Sequence, residues 1–199
     1  QNRDLAARGL RVLAVARGTA NAPGEPAVRD LVFVGLVGIT DPPAAGVTET
    51  IATLRGAGIR TVMITGDLQL TAESVARDLG VLAPGDVTLD GRDLARLDDA
   101  SLEAQVARVG AFSRVSPEDK LRIVAALQSR GEVVAMLGDG VNDAAALRKA
   151  DVGVAMGGRG TDIAKEAAAV VLQDDRFATV AAAVEEGRGI YDDIRKFVL

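Results

Sequence analysis

Short apolar runs recur along the chain, and between them lie segments in which apolar residues return every three or four positions. The runs fall at 10–16, 31–39, 60–64, 109–113, 133–137, 152–155 and 169–172. Helix-patterned segments follow most of them: one carries Val47, Ile51 and Leu54 on one face, one covers 71–79, one carries Leu121, Val124 and Leu127, and one covers 163–168. A strand that must be followed by a helix before the next strand predicts a parallel sheet with right-handed crossovers, hence an α/β fold with helices on both faces. The run at 31–39 is expected to open this alternation. The stretch 84–100 is the least regular; Asp90-Gly91 reads as a turn, and Leu94, Leu97 and Leu102 suggest small helices packed at an edge. Residues 177–199 read as one long helix, with Phe177, Val180, Val184, Tyr191, Ile194 and Val198 recurring on one side.

The stretch 132–147, Glu-Val-Val-Ala-Met-Leu-Gly-Asp-Gly-Val-Asn-Asp-Ala-Ala-Ala-Leu, reads as strand, glycine turn, helix. Ligands of open parallel sheets bind at the carboxyl ends of strands, where this turn places Asp139 and Asp143 together. Two carboxylates there suit Mg²⁺, which takes oxygen ligands and shares one or two carboxylates with a substrate phosphate. The plainer reading makes Asp139 a turn residue and Asp143 or Asn142 a helix cap. A second helix is announced by Ser116 as N-cap and Pro117 as first helical residue, with Glu118 and Asp119 at the positive end of the dipole. Lys120 follows in the same first turn, where a cation works against the dipole, which suggests a further task beyond solvation.

Composition removes most other chemistries. The 199 residues contain no cysteine and no histidine, so thiol, imidazole and zinc-thiolate sites are excluded. A net charge of −5, the lack of basic runs and 3% aromatic residues argue against nucleic acid as a partner. No apolar run reaches the roughly 18 residues of a spanning helix, so the chain is expected to be soluble. It begins without Met and ends on Phe197-Val198-Leu199, so it is expected to be a piece of a longer polypeptide.

What remains is carboxylate, Lys, Thr and Mg²⁺ chemistry. Thr65-Gly66-Asp67, Lys120 and the segment 139–143 each follow a strand or open a helix, so a parallel sheet can gather them at one edge. A Thr hydroxyl with adjacent N–H groups holds phosphate oxygens, a Lys neutralises them, and two carboxylates hold Mg²⁺. Together they make a phosphoryl-transfer site.

Six segments in order carry a family resemblance: Asp41-Pro42-Pro43; Met63-Ile64-Thr65-Gly66-Asp67; the stretch 112–117 with Lys120; 138–143; 160–167; and 185–188 with Tyr191. They resemble the phosphorylation domain of a P-type ATPase, of the calcium, sodium/potassium and proton branches, with a haloacid-dehalogenase-like Rossmann-type fold. The resemblance implies an ATP-driven cation pump of the cell membrane, this part lying on the cytoplasmic side, with Mg²⁺ and ATP as cofactors. It implies that Thr65 and Gly66 bind the transferred phosphoryl group, that Lys120 neutralises it, and that Asn142 donates a hydrogen bond to it. Asp139 would ligate Mg²⁺ with Asp143 beside it, while Asp67, Arg114 and Asp41 would lie toward the nucleotide ribose and the hinge. Residues 1–20 resemble the end of the nucleotide-binding domain, 21–180 the phosphorylation domain, and 181–199 the stalk helix leading toward the membrane. The partners implied are the rest of such a pump: nucleotide-binding, actuator and transmembrane domains.

The family nucleophile, in Asp-Lys-Thr-Gly-Thr on the first, central strand, is absent from this sequence, so the sheet is expected to lack that strand and the chain to be catalytically incomplete. Ala145 replaces a usual Pro, Ala44 a common Arg, and Leu68 a common polar residue. Two alternatives stay open: a soluble phosphatase of the same superfamily, which needs an Asp-x-Asp pair, and a non-catalytic module that binds Mg²⁺ or nucleotide.

Overall fold

A computed structural model of the protein describes residues 1–18, 30–40 and 42–198. The expected loop at 18–26 and the expected boundary between residues 20 and 21 fall largely or wholly outside the described residues, as do Asp41 and Leu199.

Helix α1 (Asn2–Ala7) leads into β1 (Arg11–Arg17), which pairs with β2 (Val32–Ile39). This pairing corrects the sequence expectation for 31–39. β2 runs antiparallel to β1, with Arg11 opposite Ile39 and Leu13 opposite Val37, and joins no parallel sheet among the described residues. An apolar run preceding a helix cannot by itself distinguish a crossover strand from a hairpin partner, and a second β-rich run lay available upstream. Leu13, Val15, Val32, Phe33, Val34, Val37 and Ile39 all remain exposed.

The alternation then proceeds as α2 (Val47–Gly56), β3 (Met63–Ile64), α3 (Gln69–Asp78), β4 (Val87–Asp90), α4 (Gly91–Leu94), α5 (Asp99–Val106), β5 (Val109–Ser113), α6 (Pro117–Ser129) and β6 (Ala135–Gly138). It continues through a 3₁₀ turn at Val141–Asp143, α7 (Ala144–Lys149), β7 (Val152–Met156), α8 (Asp162–Ala167), β8 (Val170–Leu172) and the long α9 (Ala178–Val198). Two corrections arise here. β3 is two residues long, not five; ahead of it the Arg60 guanidinium donates to the carbonyls of Val106 and Val109. The stretch 84–100 lies at a sheet edge and carries short helices, as expected, but it also supplies a strand that was not expected: β4 pairs parallel with β5 as the outer strand, and Leu94 and Leu102 are fully buried against Phe112 and Ile123. Its periodicity was hidden because β4 is only four residues long and closes on an Asp N-cap, Asp90, that accepts from the Arg92 N–H.

The strands form two parallel three-stranded sheets flanked by helices, ordered β3-β5-β4 and β6-β7-β8. Among the described residues no ladder joins β3 to β6, so each presents an open edge. The halves nevertheless share a core. Ile64 of β3 packs against both the cluster of Leu94, Leu102, Phe112 and Ile123 and the cluster of Val124, Met136, Ala146 and Leu147, and α6 supplies residues to both. Full burial of an aliphatic or aromatic side chain contributes about 1.5–3 kcal/mol each, so these clusters dominate the stability of the fold.

The long helix α9 is attached at its start, where Phe177 and Val180 reach two core clusters. Beyond that none of its residues is buried, and Ile190, Tyr191, Ile194, Phe197 and Val198 lie exposed. Among the described residues no helix is long and apolar enough to cross a membrane.

Candidate active site

The carboxyl end of β6 turns at Gly138-Asp139-Gly140. Asp143 does not cap α7 with its side chain, as the sequence suggested; the carboxylate folds back under the turn instead. Its Oδ2 accepts the N–H groups of Gly140 (3.0 Å) and Asp139 (3.3 Å), and its Oδ1 accepts from Lys120 Nζ at 2.5 Å. Gly138 is required for this: a Cβ there would come within 2.5 Å of the Asp143 Cβ. The ion pair is largely buried, with the Lys120 side chain 18% and Asp143 10% exposed. The unusual Lys in the first turn of α6 therefore has its second task. The turn itself is fixed by a capping box, in which Ser116 Oγ accepts from the Asp119 N–H while Asp119 Oδ2 accepts from the Ser116 N–H.

Asp139 behaves differently. Its side chain is 56% exposed, and among the described residues its nearest cation is Arg159, whose Nε stands 3.8 Å from Oδ2. Its carbonyl accepts the N–H of Thr161 at 2.8 Å, which docks the loop after β7 onto the turn after β6. Asn142 is exposed in the 3₁₀ turn next to it.

A second group forms at the end of β3. The Thr65 N–H donates to the Phe112 carbonyl (2.9 Å), and its own carbonyl accepts from Val115 N–H (3.2 Å). The Thr65 hydroxyl donates to Asp67 Oδ2 (3.0 Å) and accepts the Asp67 N–H (3.2 Å). Asp67 also takes the Arg11 guanidinium at 2.8 Å, and its carbonyl accepts the Arg114 N–H at 3.1 Å. Arg114 is exposed and held at a left-handed φ of 53°. Gly66 is open: a Cβ there would meet nothing within 4 Å. Thus Lys120, Asp143 and Asp139 form one bonded group and Thr65, Asp67 and Arg114 another, linked by the segment 114–119. Sequence reasoning did not single out Arg11, Arg159 or Asp175 as neighbours of the site; no motif spacing joins them to it, and only tertiary contact does.

Mg²⁺ fits Asp139, whose carboxylate oxygens carry no hydrogen bond from any described residue. Both oxygens of Asp143 are committed, and among the described residues no group of three or more acidic, His or Cys side chains is gathered to hold a metal. That donor set suits an ion which draws its remaining ligands from water and phosphate, and does not suit a cage of protein ligands alone.

A family model for haloacid dehalogenase-like hydrolases matches residues 2–151, and a second of the same description matches 121–184. The chain belongs to the haloacid dehalogenase-like hydrolases. It is also 50% identical over 202 residues to Calcium-transporting ATPase 1 of Schizosaccharomyces pombe, covering 98% of this chain and 22% of the relative. It is 50% identical over 200 residues to the Calcium-transporting ATPase of Bacillus subtilis, covering 98% and 22%. With Calcium-transporting ATPase type 2C member 1 of Homo sapiens the identity is 48% over 190 residues, covering 96% and 20%. The chain therefore spans about a fifth of the length of the relatives it matches.

Proposed function

We propose that this chain is the phosphorylation-domain part of an ATP-driven calcium pump, which forms and hydrolyses an aspartyl-phosphate on a strand that the chain itself lacks. The observation that carries this reading is the open pair of edges. β3 ends at Ile64, just before Thr65, and β6 ends at Gly138, just before Asp139; both edges lack a strand partner among the described residues, and Ile64 holds them to one core. One parallel strand inserted between them would make the sheet continuous and bring its carboxyl end between the Thr65 group and the Lys120–Asp143–Asp139 group. The names of the calcium-transporting relatives support the choice of pump and of cation.

In that arrangement an aspartate oxygen of the inserted strand forms the new P–O bond while the bond from the γ-phosphorus to the bridging oxygen breaks and ADP leaves; water later attacks the same phosphorus and restores the carboxylate. The exposed Gly66 N–H holds an equatorial oxygen of the phosphoryl group, and the Thr65 hydroxyl holds another once its proton swings away from Asp67 Oδ2. Lys120, kept in place by Asp143, neutralises their charge with its remaining N–H donors, and Asn142 donates from the opposite turn. Mg²⁺, when bound at Asp139, supplies further neutralisation. Arg114 and Asp67 lie on the nucleotide side, one turn away from Thr65.

Residues 1–20 belong to the end of a nucleotide-binding domain, and the pairing of β1 with β2 supports grouping β2 with that end; the exposed apolar residues of the two strands are the surface that the rest of that domain covers. The phosphorylation domain runs to about residue 180, and 181–199 are the stalk. The partners are the nucleotide-binding, actuator and transmembrane parts of the pump, and the location is the cytoplasmic side of a cell membrane.

A peptide or domain carrying the Asp-Lys-Thr-Gly-Thr strand, added to this chain with labelled ATP and Mg²⁺, tests the proposal. It predicts an acid-stable, hydroxylamine-sensitive phosphoprotein, lost with Asp139→Asn. Turnover of a generic phosphate ester by the chain alone would instead favour a self-sufficient phosphatase.

A further inference from the structure

The glycine-rich loop 157–161 has no part in the chemistry above, yet it is held by several hydrogen bonds beside the site. Its Gly158 and Arg159 N–H groups both donate to the carboxylate of Asp175, each at 2.9 Å. The Gly157 N–H donates to the Leu172 carbonyl (2.8 Å), and Thr161 N–H to the Asp139 carbonyl (2.8 Å). A Cβ at Gly160 would come within 2.1 Å of the Met156 carbonyl, so the loop packs against β7 too closely to admit a side chain there. Asp175 itself sits at a left-handed φ of 53°. Its neighbour Asp174 accepts from Thr179 Oγ1 (2.7 Å) and from the Arg176 N–H (3.1 Å), and so anchors the start of α9. A continuous path of hydrogen bonds thus runs from the foot of α9 through this loop to Asp139, and it ends with a guanidinium beside the Asp139 carboxylate.

We propose that Asp175 is a positioning residue that holds Arg159 over Asp139 as a built-in competitor for the divalent cation, tying access to that carboxylate to the foot of α9. Without the cation, Arg159 screens the Asp139 charge; a cation entering must displace it. Releasing the clamp at Asp175 lets the loop and Arg159 move away, leaving Asp139 more available. A merely structural Asp175 would have the opposite signature, since loosening the loop would weaken cation binding. The inference rests on the proposed role of Asp139.

The test uses the 199-residue chain and Mn²⁺ as probe, with binding read by paramagnetic relaxation of water protons or of assigned amides. Asp139→Asn should abolish site binding; if it does not, the proposed role of Asp139 is wrong and the proposal falls with it. With that control in hand, Arg159→Gln should tighten Mn²⁺ binding about two- to fivefold, the range of an exposed ion pair. Asp175→Asn, which tolerates the left-handed backbone, should tighten it by a similar factor, and the double variant no further than either alone. Amide exchange at Gly158 and Arg159 should speed up in Asp175→Asn without metal. Unchanged or weaker binding in either single variant, additive effects in the double, or unaltered amide exchange would each overturn the proposal.

Discussion

Lys120 and Asp143 lie 23 positions apart, at the starts of two different helices, yet Lys120 Nζ stands 2.5 Å from Asp143 Oδ1. The pair locks α6 to the turn after β6, and with it the two halves of the molecule. Breaking a mostly buried pair from one side strands a charge away from water, a larger loss than an exposed salt bridge would give. Lys120→Met should therefore lower the stability by about 3 kcal/mol. Replacing both residues, as Lys120→Met with Asp143→Leu, should cost less than the two single changes added together. Denaturant titration of the three variants checks this.

Gly138→Ala should destabilise the chain by about 1–3 kcal/mol, because the added methyl must displace the Asp143 side chain from beneath the turn. The Lys120 amine should become more accessible to acylation in the same variant, since its partner is what moves. Equal reactivity in the two proteins would show that Asp143 had kept its place.

Leu102→Ala removes a fully buried side chain from the cluster around Phe112 and should cost about 2–5 kcal/mol. Were Leu102 only loosely packed at the sheet edge, the same change would pass almost unnoticed, so thermal unfolding separates the two descriptions.

Acid should unfold the protein through particular carboxylates. The Val134 N–H (2.8 Å), and then Gln128 Nε2 (3.1 Å), hold the Asp151 carboxyl below its ordinary range; the Gly158 N–H, and then that of Arg159, do the same for Asp175. A folded value below the unfolded one means that the stabilisation is complete above about pH 4, the ordinary carboxylate value, and is lost as pH falls through the lower folded value. Asp151→Asn should flatten this acid limb of a melting temperature against pH profile, with its largest relative loss near neutrality.

The parallel character of the fold was legible because the runs around Phe112, Leu137 and Val154 are almost wholly apolar, as strands covered on both faces are, and helix-patterned segments separate them. The capping box at Ser116 and the cation at Lys120 were legible for the same local reason: their meaning sits within one turn of helix. What eluded a linear reading was pairing. Nothing in Leu-Val-Phe-Val-Gly-Leu-Val-Gly-Ile states whether its partner is Arg11–Arg17 or a distant parallel strand, and β4 was too short to announce itself. The division of labour between Asp139 and Asp143 was equally invisible, for it is decided by Gly138, which lets one carboxylate tuck inward while the other stays in water. Arg159 and Asp175 needed the docked loop before either could be connected with Asp139.

The two unpaired borders at Met63-Ile64 and Ala135–Gly138 also bear on how such a protein matures. Zipping a parallel strand into a slot whose walls are more than seventy positions apart from each other closes long loops before any ladder bond rewards it, so that step should be slow and come late. Until it happens the slot offers bare amides and carbonyls to any extended polypeptide nearby, a hazard of clumping that makes rapid occupation of the slot as much a matter of quality control as of catalysis.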